Sequence, residues 1–331
     1  MPRYAVTGGA GFIGSHLVEV LLEAGNEVLV VDNFETGRTS NINLAYNKIN
    51  IVEVDISDPS SQDSLVDAFK GCDGVLHLAA LADIVPSIER PQRYFEVNVD
   101  GTFNVVMAAK AAGVRKLVYA ASSSCYGLID EIPTTETAPV DPQYLYALTK
   151  LLGEQIVLGL GKTYGLRTVS LRLFNVYGKR ARTAGTYGAV LGVFMGQYFN
   201  NLPLTIVGDG EQLRDFVHVK DVANAFKKAV ESDVDGVILN IGGGSPWSVN
   251  DLANLISEER VFIPKRPGEP DVTHADISLA KAVLDWSPQI GFAESIKDLK
   301  RDSEEWKDAP AWSQESVANA THQWFKFLGD S

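Results

Sequence analysis

Through the first half of the chain, short apolar runs rich in valine, isoleucine and leucine alternate with longer stretches whose apolar residues recur every three or four positions. The runs at 4–6, 28–31, 51–54, 75–78, 116–119 and 168–171 predict strands, and 13–24, 58–69, 94–112 and 145–164 predict helices between them. Strands apolar on both faces, joined by helices, predict a parallel sheet covered on each side, so the expected class is α/β with a doubly wound parallel sheet. After residue 175 the rhythm changes. Glycine and proline become frequent, helical patterns shorten, and strand candidates at 204–207 and 237–240 stand apart. The expected organisation is a first lobe over 1–175 and a smaller α/β lobe over 176–331. A helical pattern at 216–230 can return to the first lobe, which assigns part of 216–240 there. The tail from 308 to 331 holds Trp312, Trp324, Phe325 and Phe327, the composition of a docked helix.

Composition narrows the partners. The 331 residues are 45% hydrophobic and 21% charged, ordinary globular values. With 29 Lys+Arg against 42 Asp+Glu the net charge is -13, which repels a polyanion, and no basic block offsets it, so nucleic acid is excluded as a partner. An anionic ligand must then be held by a few placed arginines and by backbone amides. The first strand pattern begins within seven residues of Met1 with no leader pattern, and no apolar run approaches the roughly 20 residues of a membrane span. Two cysteines, Cys72 and Cys125, form neither a disulfide framework nor a metal site. A cytoplasmic protein without metal is expected.

The first strand runs into Gly8-Gly9-Ala10-Gly11-Phe12-Ile13-Gly14, which opens the first helix. That context turns a glycine pattern into a Rossmann dinucleotide site: Gly8 for the tight turn, Gly11 for close approach of a pyrophosphate, and Gly14 for packing of helix on strand. Asp32 ends the second strand, where a carboxylate accepts bonds from ribose hydroxyls and repels a 2′-phosphate, favouring NAD over NADP; Arg38, six residues on, is the one counter-signal. Asp55 and Ile56 after the third strand are candidates for the adenine, the alternative being a solvated aspartate at a strand end. Leu78, Ala79 and Ala80 after the fourth strand let a cofactor lie close, or simply pack.

Tyr146 and Lys150 lie one helical turn apart, so an ammonium can act on a phenol whose free pKa near 10 is too high for a base at neutral pH. The spacing gains weight from Ser122, which ends the fifth strand 24 residues upstream and can bind the hydroxyl that Tyr146 deprotonates.

These motifs, with Asp32-Asn33-Phe34, His77 to Ala80, Asn98 to Thr102, Ser122-Ser123-Ser124-Cys125-Tyr126-Gly127, Leu173 to Gly178, Arg214 to Val219 and Arg266-Pro267-Gly268-Glu269, make the chain resemble the extended short-chain dehydrogenase/reductase family along almost its whole length, specifically the nucleotide-sugar 4-epimerases. The resemblance implies NAD contacts from Phe12, Ile13, Asn33, Asn98, Tyr146 and Lys150. It implies substrate contacts from Ser122, Ser123 and Ser124, a UDP diphosphate clamp of Asn175, Arg214 and Arg266, and a ribose contact from Glu269. It further implies C4 epimerisation of a UDP-hexose or UDP-N-acetylhexosamine, and a homodimer paired through 94–112 and 145–164. A 4,6-dehydratase is the nearest rival, but that family places an Asp-Glu pair after the active-site hydroxyl, where this chain has Ser123 and Ser124. A UDP-glucuronate decarboxylase and a catalytically silent NAD-binding sensor are the others. Ala82 stands where many such epimerases carry a lysine, and Thr273, where a tyrosine restricts the sugar pocket, leaves room for a 2-acetamido group.

Overall fold

The structure, a computed structural model, describes residues 1–42, 49–181, 190–301 and 312–328 with Trp306 and Ala309. The chain opens with β1 (Arg3–Thr7), α1 (Phe12–Glu23), β2 (Glu27–Asp32), β3 (Ile49–Glu53), α2 (Gln62–Phe69), β4 (Gly74–His77), α3 (Ile84–Glu89), α4 (Pro91–Phe95), α5 (Gly101–Ala111), β5 (Lys116–Ser122), α6 (Leu145–Tyr164) and β6 (Arg167–Leu173). There follow β7 (Asn175–Tyr177), α7 (Val190–Phe199), β8 (Leu204–Val207), β9 (Leu213–Arg214), β10 (Phe216–His218), α8 (Val219–Glu231), β11 (Val237–Ile241), β12 (Trp247–Ser248), α9 (Val249–Ile256), β13 (Arg260–Ile263), α10 (Ser278–Leu284), α11 (Phe292–Arg301) and α12 (Gln314–Leu328).

Seven strands form one all-parallel sheet in the order β11-β6-β5-β4-β1-β2-β3. Because the order reverses between β1 and β4, the connections leaving their carboxyl ends diverge and open a crevice there, the usual ligand position in such sheets. Both faces are buried: Leu17, Leu21 and Phe226 from α1 and α8 cover one, and Leu65, Phe69, Val105 and Val157 from α2, α5 and α6 cover the other. The fold is the α/β doubly wound one expected.

Three local readings shift. The strand expected to stand apart at 237–240 is β11, which pairs Val237 to Val169 through Ile241 to Leu173 and extends the main sheet. The helix expected from 216 starts at Val219, because Phe216 to His218 first pair in parallel with Asn175 to Tyr177 and the His218 ring nitrogen then caps the helix by accepting from Lys220 N at 3.2 Å. The single helix expected over 94–112 is broken by a π-helical turn, Glu96–Asp100, which turns Asn98 inward.

The remaining strands pair as β7 with β10, β9 with β12 and β8 with β13, around a core of Tyr177, Phe194, Phe216, Ile296, Trp306 and Phe292; Phe216 and Phe292 are stacked at 4.7 Å. In α12, Trp324 is buried and donates from Nε1 to the Pro267 carbonyl at 2.8 Å, whereas Phe327 is exposed. Asp308 and the other undescribed positions of the tail lie outside the described residues. Among the described residues no helix is long and apolar enough to cross a membrane.

Candidate active site

The turn from β1 into α1 is shaped by what its glycines lack. Gly8 has φ of 69° and lies so close to the segment that follows β4 that a Cβ would come within 2.7 Å of the Ala79 nitrogen. A Cβ on Gly14 would collide with the Gly8 carbonyl, so the helix can sit against the turn only with glycine there. The N-terminus of α1 has Gly11 as its cap, no side-chain cap and no acidic residue in its first turn, which leaves the backbone amides around Phe12 and Ile13 to an outside anion. This cradle fits a dinucleotide pyrophosphate.

Asp32 is buried at the end of β2, where its oxygens accept from Ala10 N and Phe34 N, each at 2.9 Å. Burial raises its pKa while those amides oppose the rise. Asn33 caps the following turn by accepting from Glu35 N at 3.0 Å. Asp55, just after β3, is half-exposed and its carboxylate is engaged. One oxygen accepts from Ser57 N and Oγ at 2.9 and 2.6 Å and the other from Arg93 at 2.9 Å; burial opposes ionisation, but the Ser57 and Arg93 contacts overcome it and hold the carboxyl at about 2. Ile56 is core, lying where only glycine fits at position 101.

The strand end that closes the crevice is held by a relay the sequence does not reveal. Thr102 gives its proton to the Asn98 carbonyl at 2.7 Å, so His77 Nε2 must donate to the Thr102 oxygen at 3.0 Å, and His77 Nδ1 must accept from Thr7 at 2.7 Å. Burial, with the Lys150 charge adding to it, pushes His77 down to about 3, so the ring is neutral as this relay requires. Thr7 in turn accepts from Ala79 N at 3.3 Å, which lines up Leu78, Ala79 and Ala80 over Gly8. Asn98, wholly buried, accepts from Leu81 N at 2.8 Å and donates to the Leu81 carbonyl and to Thr149, both at 3.0 Å; Thr149 donates to the Tyr146 carbonyl at 2.9 Å. Asn98 thereby ties the segment after β4 to the helix that carries Tyr146 and Lys150. In the free protein its polar atoms serve the frame. Ala82 contributes its carbonyl, to which the Tyr94 hydroxyl donates.

Ser122 ends β5, and Tyr146 and Lys150 lie on the first turns of α6. Burial raises the Tyr146 phenol above its ordinary value in the protein alone, and the neighbouring Ser122 hydroxyl opposes that rise. Burial pushes Lys150 down to about 7, with Glu154 opposing. The Ser122 hydroxyl lies 2.8 Å from the Ser124 hydroxyl, and Ser123 begins the short turn that ends at Tyr126. Tyr144 and the nearby Asp83, which raises the Tyr146 pKa, were not singled out in the sequence, since neither carries a motif.

Across the crevice, Glu269 accepts from Arg266 at 3.1 Å and lies 3.6 Å from Arg214. Arg214 donates to the carbonyls of Leu213 and Pro270, both at 2.9 Å, and the Arg266 guanidinium lies 5.3 Å from the Trp324 ring centroid. Asn175, on β7, accepts from the Thr273 hydroxyl at 3.0 Å, and that same hydroxyl accepts from Asp215 N at 3.1 Å. Thr273 is therefore a fixed link between two segments as well as a small residue. Two largely buried guanidiniums thus share one carboxylate, a cluster with donors to spare for an anion.

The NAD dependent epimerase/dehydratase family profile matches residues 4–242. A putative UDP-glucose 4-epimerase of Methanocaldococcus jannaschii is 37% identical over 298 residues, 88% of this chain and 95% of that protein. Among solved structures, UDP-N-acetylglucosamine 4-epimerase from Methanobrevibacter ruminantium, in complex with UDP-N-acetylmuramic acid, superposes with a TM-score of 0.85 at 32% identity, covering 91% of this chain and 97% of that one. UDP-glucose 4-epimerase of Thermus thermophilus in complex with NAD gives 0.82 at 35% identity, covering 91% and 99%. A nucleotide-sugar decarboxylase and a 4,6-dehydratase are also among the relatives.

Proposed function

This chain belongs to the NAD dependent epimerase/dehydratase family, and we propose from that premise that it inverts C4 of a UDP-hexose or UDP-N-acetylhexosamine through a transient 4-keto sugar. NAD, when bound, takes up the C4 hydride and returns it. Gly8, Gly11, Phe12, Ile13 and Gly14 hold its pyrophosphate, Asp32 and Asn33 the adenosine ribose, and Leu78, Ala79 and Ala80 line its path. Ser122 binds the sugar 4-hydroxyl, Tyr146 removes its proton, and Lys150 supplies the positive charge that brings a phenol raised by burial back within reach of neutral pH. When the hydride returns to the other face of the turned keto sugar, Tyr146 gives the proton back, so the reaction closes without net oxidation. Arg214, Arg266 and Asn175 hold the diphosphate and Glu269 the uridine ribose. In this reading the cofactor lies on residues 1–175 with part of 216–240, and the sugar nucleotide on the remainder.

The observation that carries the reading is the placement of Ser122 at the carboxyl end of β5 beside the Tyr146 phenol of α6, with Lys150 buried on the next turn. Dehydration is disfavoured, because positions 123 and 124 carry serines and no carboxylate that could expel water. Anomeric proton NMR of the purified enzyme with UDP-glucose, UDP-N-acetylglucosamine and UDP-glucuronate in turn tests it: C4 epimers are expected, and accumulation of a 4-keto-6-deoxy sugar or release of carbon dioxide would replace the proposal with a rival.

We further read the protein as cytoplasmic, supplying an activated sugar for polysaccharide assembly, and as a homodimer. Phe95, Phe103 and Leu148 on α4, α5 and α6 are 43%, 45% and 39% exposed, an apolar cost that pairing of these helices across a two-fold axis would remove. Light scattering should give twice the chain mass.

A further inference from the structure

Lys150 is 4% exposed, and among the described residues no carboxylate forms an ion pair with its ammonium. Glu154, one turn further along α6, is spoken for: Arg172 donates to its two oxygens at 2.6 and 3.0 Å and Ser170 donates at 2.8 Å. What the ammonium does face is a ring. Its nitrogen lies 4.3 Å from the centroid of Tyr119, a wholly buried residue of β5. That ring is fixed from several sides. Its hydroxyl donates to the Lys150 carbonyl at 3.3 Å, the His77 ring is tilted against it at 5.5 Å, and the hydroxyl occupies space that exists only because residue 153 is glycine, since a Cβ there would collide with it.

We propose that Tyr119 is a positioning residue for proton transfer, its ring face acting as the neutral counter-group that keeps Lys150 cationic beside Tyr146. An aromatic face attracts a desolvated cation through its quadrupole, by an amount equivalent to about one pH unit of titration. A carboxylate in the same position would hold the cation more strongly but would also repel the Tyr146 phenolate, raising the pKa that the lysine is there to lower. An uncharged ring stabilises the cation without that penalty. The other groups around the pair are consistent with this: on α6, Glu154 is committed to Arg172; from β4, His77 is held neutral; from β5, burial raises Tyr119 well above its ordinary value; and Asp83 and Cys125 act on the Tyr146 side, both raising its pKa. Sequence reading passes over Tyr119, because within the run 116–119 it is one more β-forming residue.

The inference rests on Tyr146 as the base and Lys150 as its charged neighbour. With both in place, turnover falls at alkaline pH when the ammonium loses its proton, and that limb reports directly on what stabilises the cation. In the NAD-loaded enzyme the kcat–pH profile of Tyr119→Phe, which keeps the ring face, should retain a wild-type alkaline limb, while Tyr119→Leu should move it down by about one pH unit. An unmoved limb in Tyr119→Leu, or an equal displacement in Tyr119→Phe, would overturn the proposal. Should the leucine variant not yield folded enzyme, phenylalanine and a trifluorinated phenylalanine at position 119 make the comparison at nearly constant shape: fluorination withdraws density from the face, so its limb should lie lower than that of phenylalanine, and coincident limbs would overturn the proposal equally. Full activity in Tyr146→Phe would instead strike the base assignment, a different result from a limb that fails to move.

Discussion

On the sheet side of the crevice, Ser122 and the Tyr146 to Lys150 turn come from one strand and the helix after it, and their backbone is pinned by the buried network through Thr7, His77, Thr102 and Asn98. On the facing side, Asn175, Arg214, Arg266 and Glu269 come from separate short segments that hold one another: Thr273 links Asn175 to Asp215, Glu269 joins the two arginines, and Trp324 on the last helix fixes the Pro267 carbonyl beside them. The first side is rigid because it is core. The second is held by polar contacts made among its own members, some of which a diphosphate would replace. Changes on the sheet side should therefore alter the chemical step, and changes on the clamp should alter affinity.

The sharpest separation is expected from Tyr146→Phe, which removes one oxygen and leaves packing intact: kcat should fall by about 10²- to 10⁴-fold, the range of a general base, with KM and NAD content near wild type in steady-state assays. Substantial residual turnover would break the comparison at its stronger side. Arg266→Ala should do the opposite, raising KM about 10- to 100-fold with kcat little changed, as for loss of a charge-assisted contact to an anion; calorimetric titration with UDP alone should show the same loss. A kcat effect as large as the KM effect would mean that the clamp also aligns the sugar.

At Thr273 the effect is smaller and needs two variants, because the side chain both leaves space and makes two hydrogen bonds. Thr273→Val keeps the volume and drops the hydroxyl, so a several-fold rise in KM for every substrate measures the link alone. Thr273→Tyr should lose further kcat/KM for UDP-N-acetylglucosamine while matching Thr273→Val on UDP-glucose; equal losses on both sugars would remove this position as a gate.

The least effect, and on stability, is expected at Lys150. Its folded pKa of about 7 lies below the unfolded lysine value near 10.4, so the unfolded state binds the extra proton between these limits and the lysine destabilises the fold most at low pH. Lys150→Met should therefore melt higher than wild type by about 2 °C or more below pH 7, the gap closing as pH rises toward 10. A variant that melts lower at pH 6 would show the buried cation to be satisfied by contacts beyond Tyr119.

Much of the sheet side is visible in the order of residues. Gly8, Gly14, Ser122, Tyr146 and Lys150 act through local geometry, a turn after a strand or one turn of helix, and local geometry is written in spacing. The strand run at 237–240 is equally visible as a strand, but its partner is not: β11 joins the sheet because β6 leaves an open edge 68 residues earlier in the chain, between Val169 and Val237, and a hydrogen-bonding edge has no sequence signal. Asn98 shows the same limit from another direction, since its motif marks it as important while only the π-helical turn decides that its amide serves Leu81 and Thr149. By itself the sequence determined the βα alternation, the glycine turn and the hydroxyl, phenol and ammonium set, because each depends on neighbours a few residues away. Tertiary structure alone decided that Tyr119 lies under Lys150, that Thr273 bridges Asn175 and Asp215, and that Trp324 reaches the clamp, because burial and contact between distant segments exist only once the chain has closed on itself.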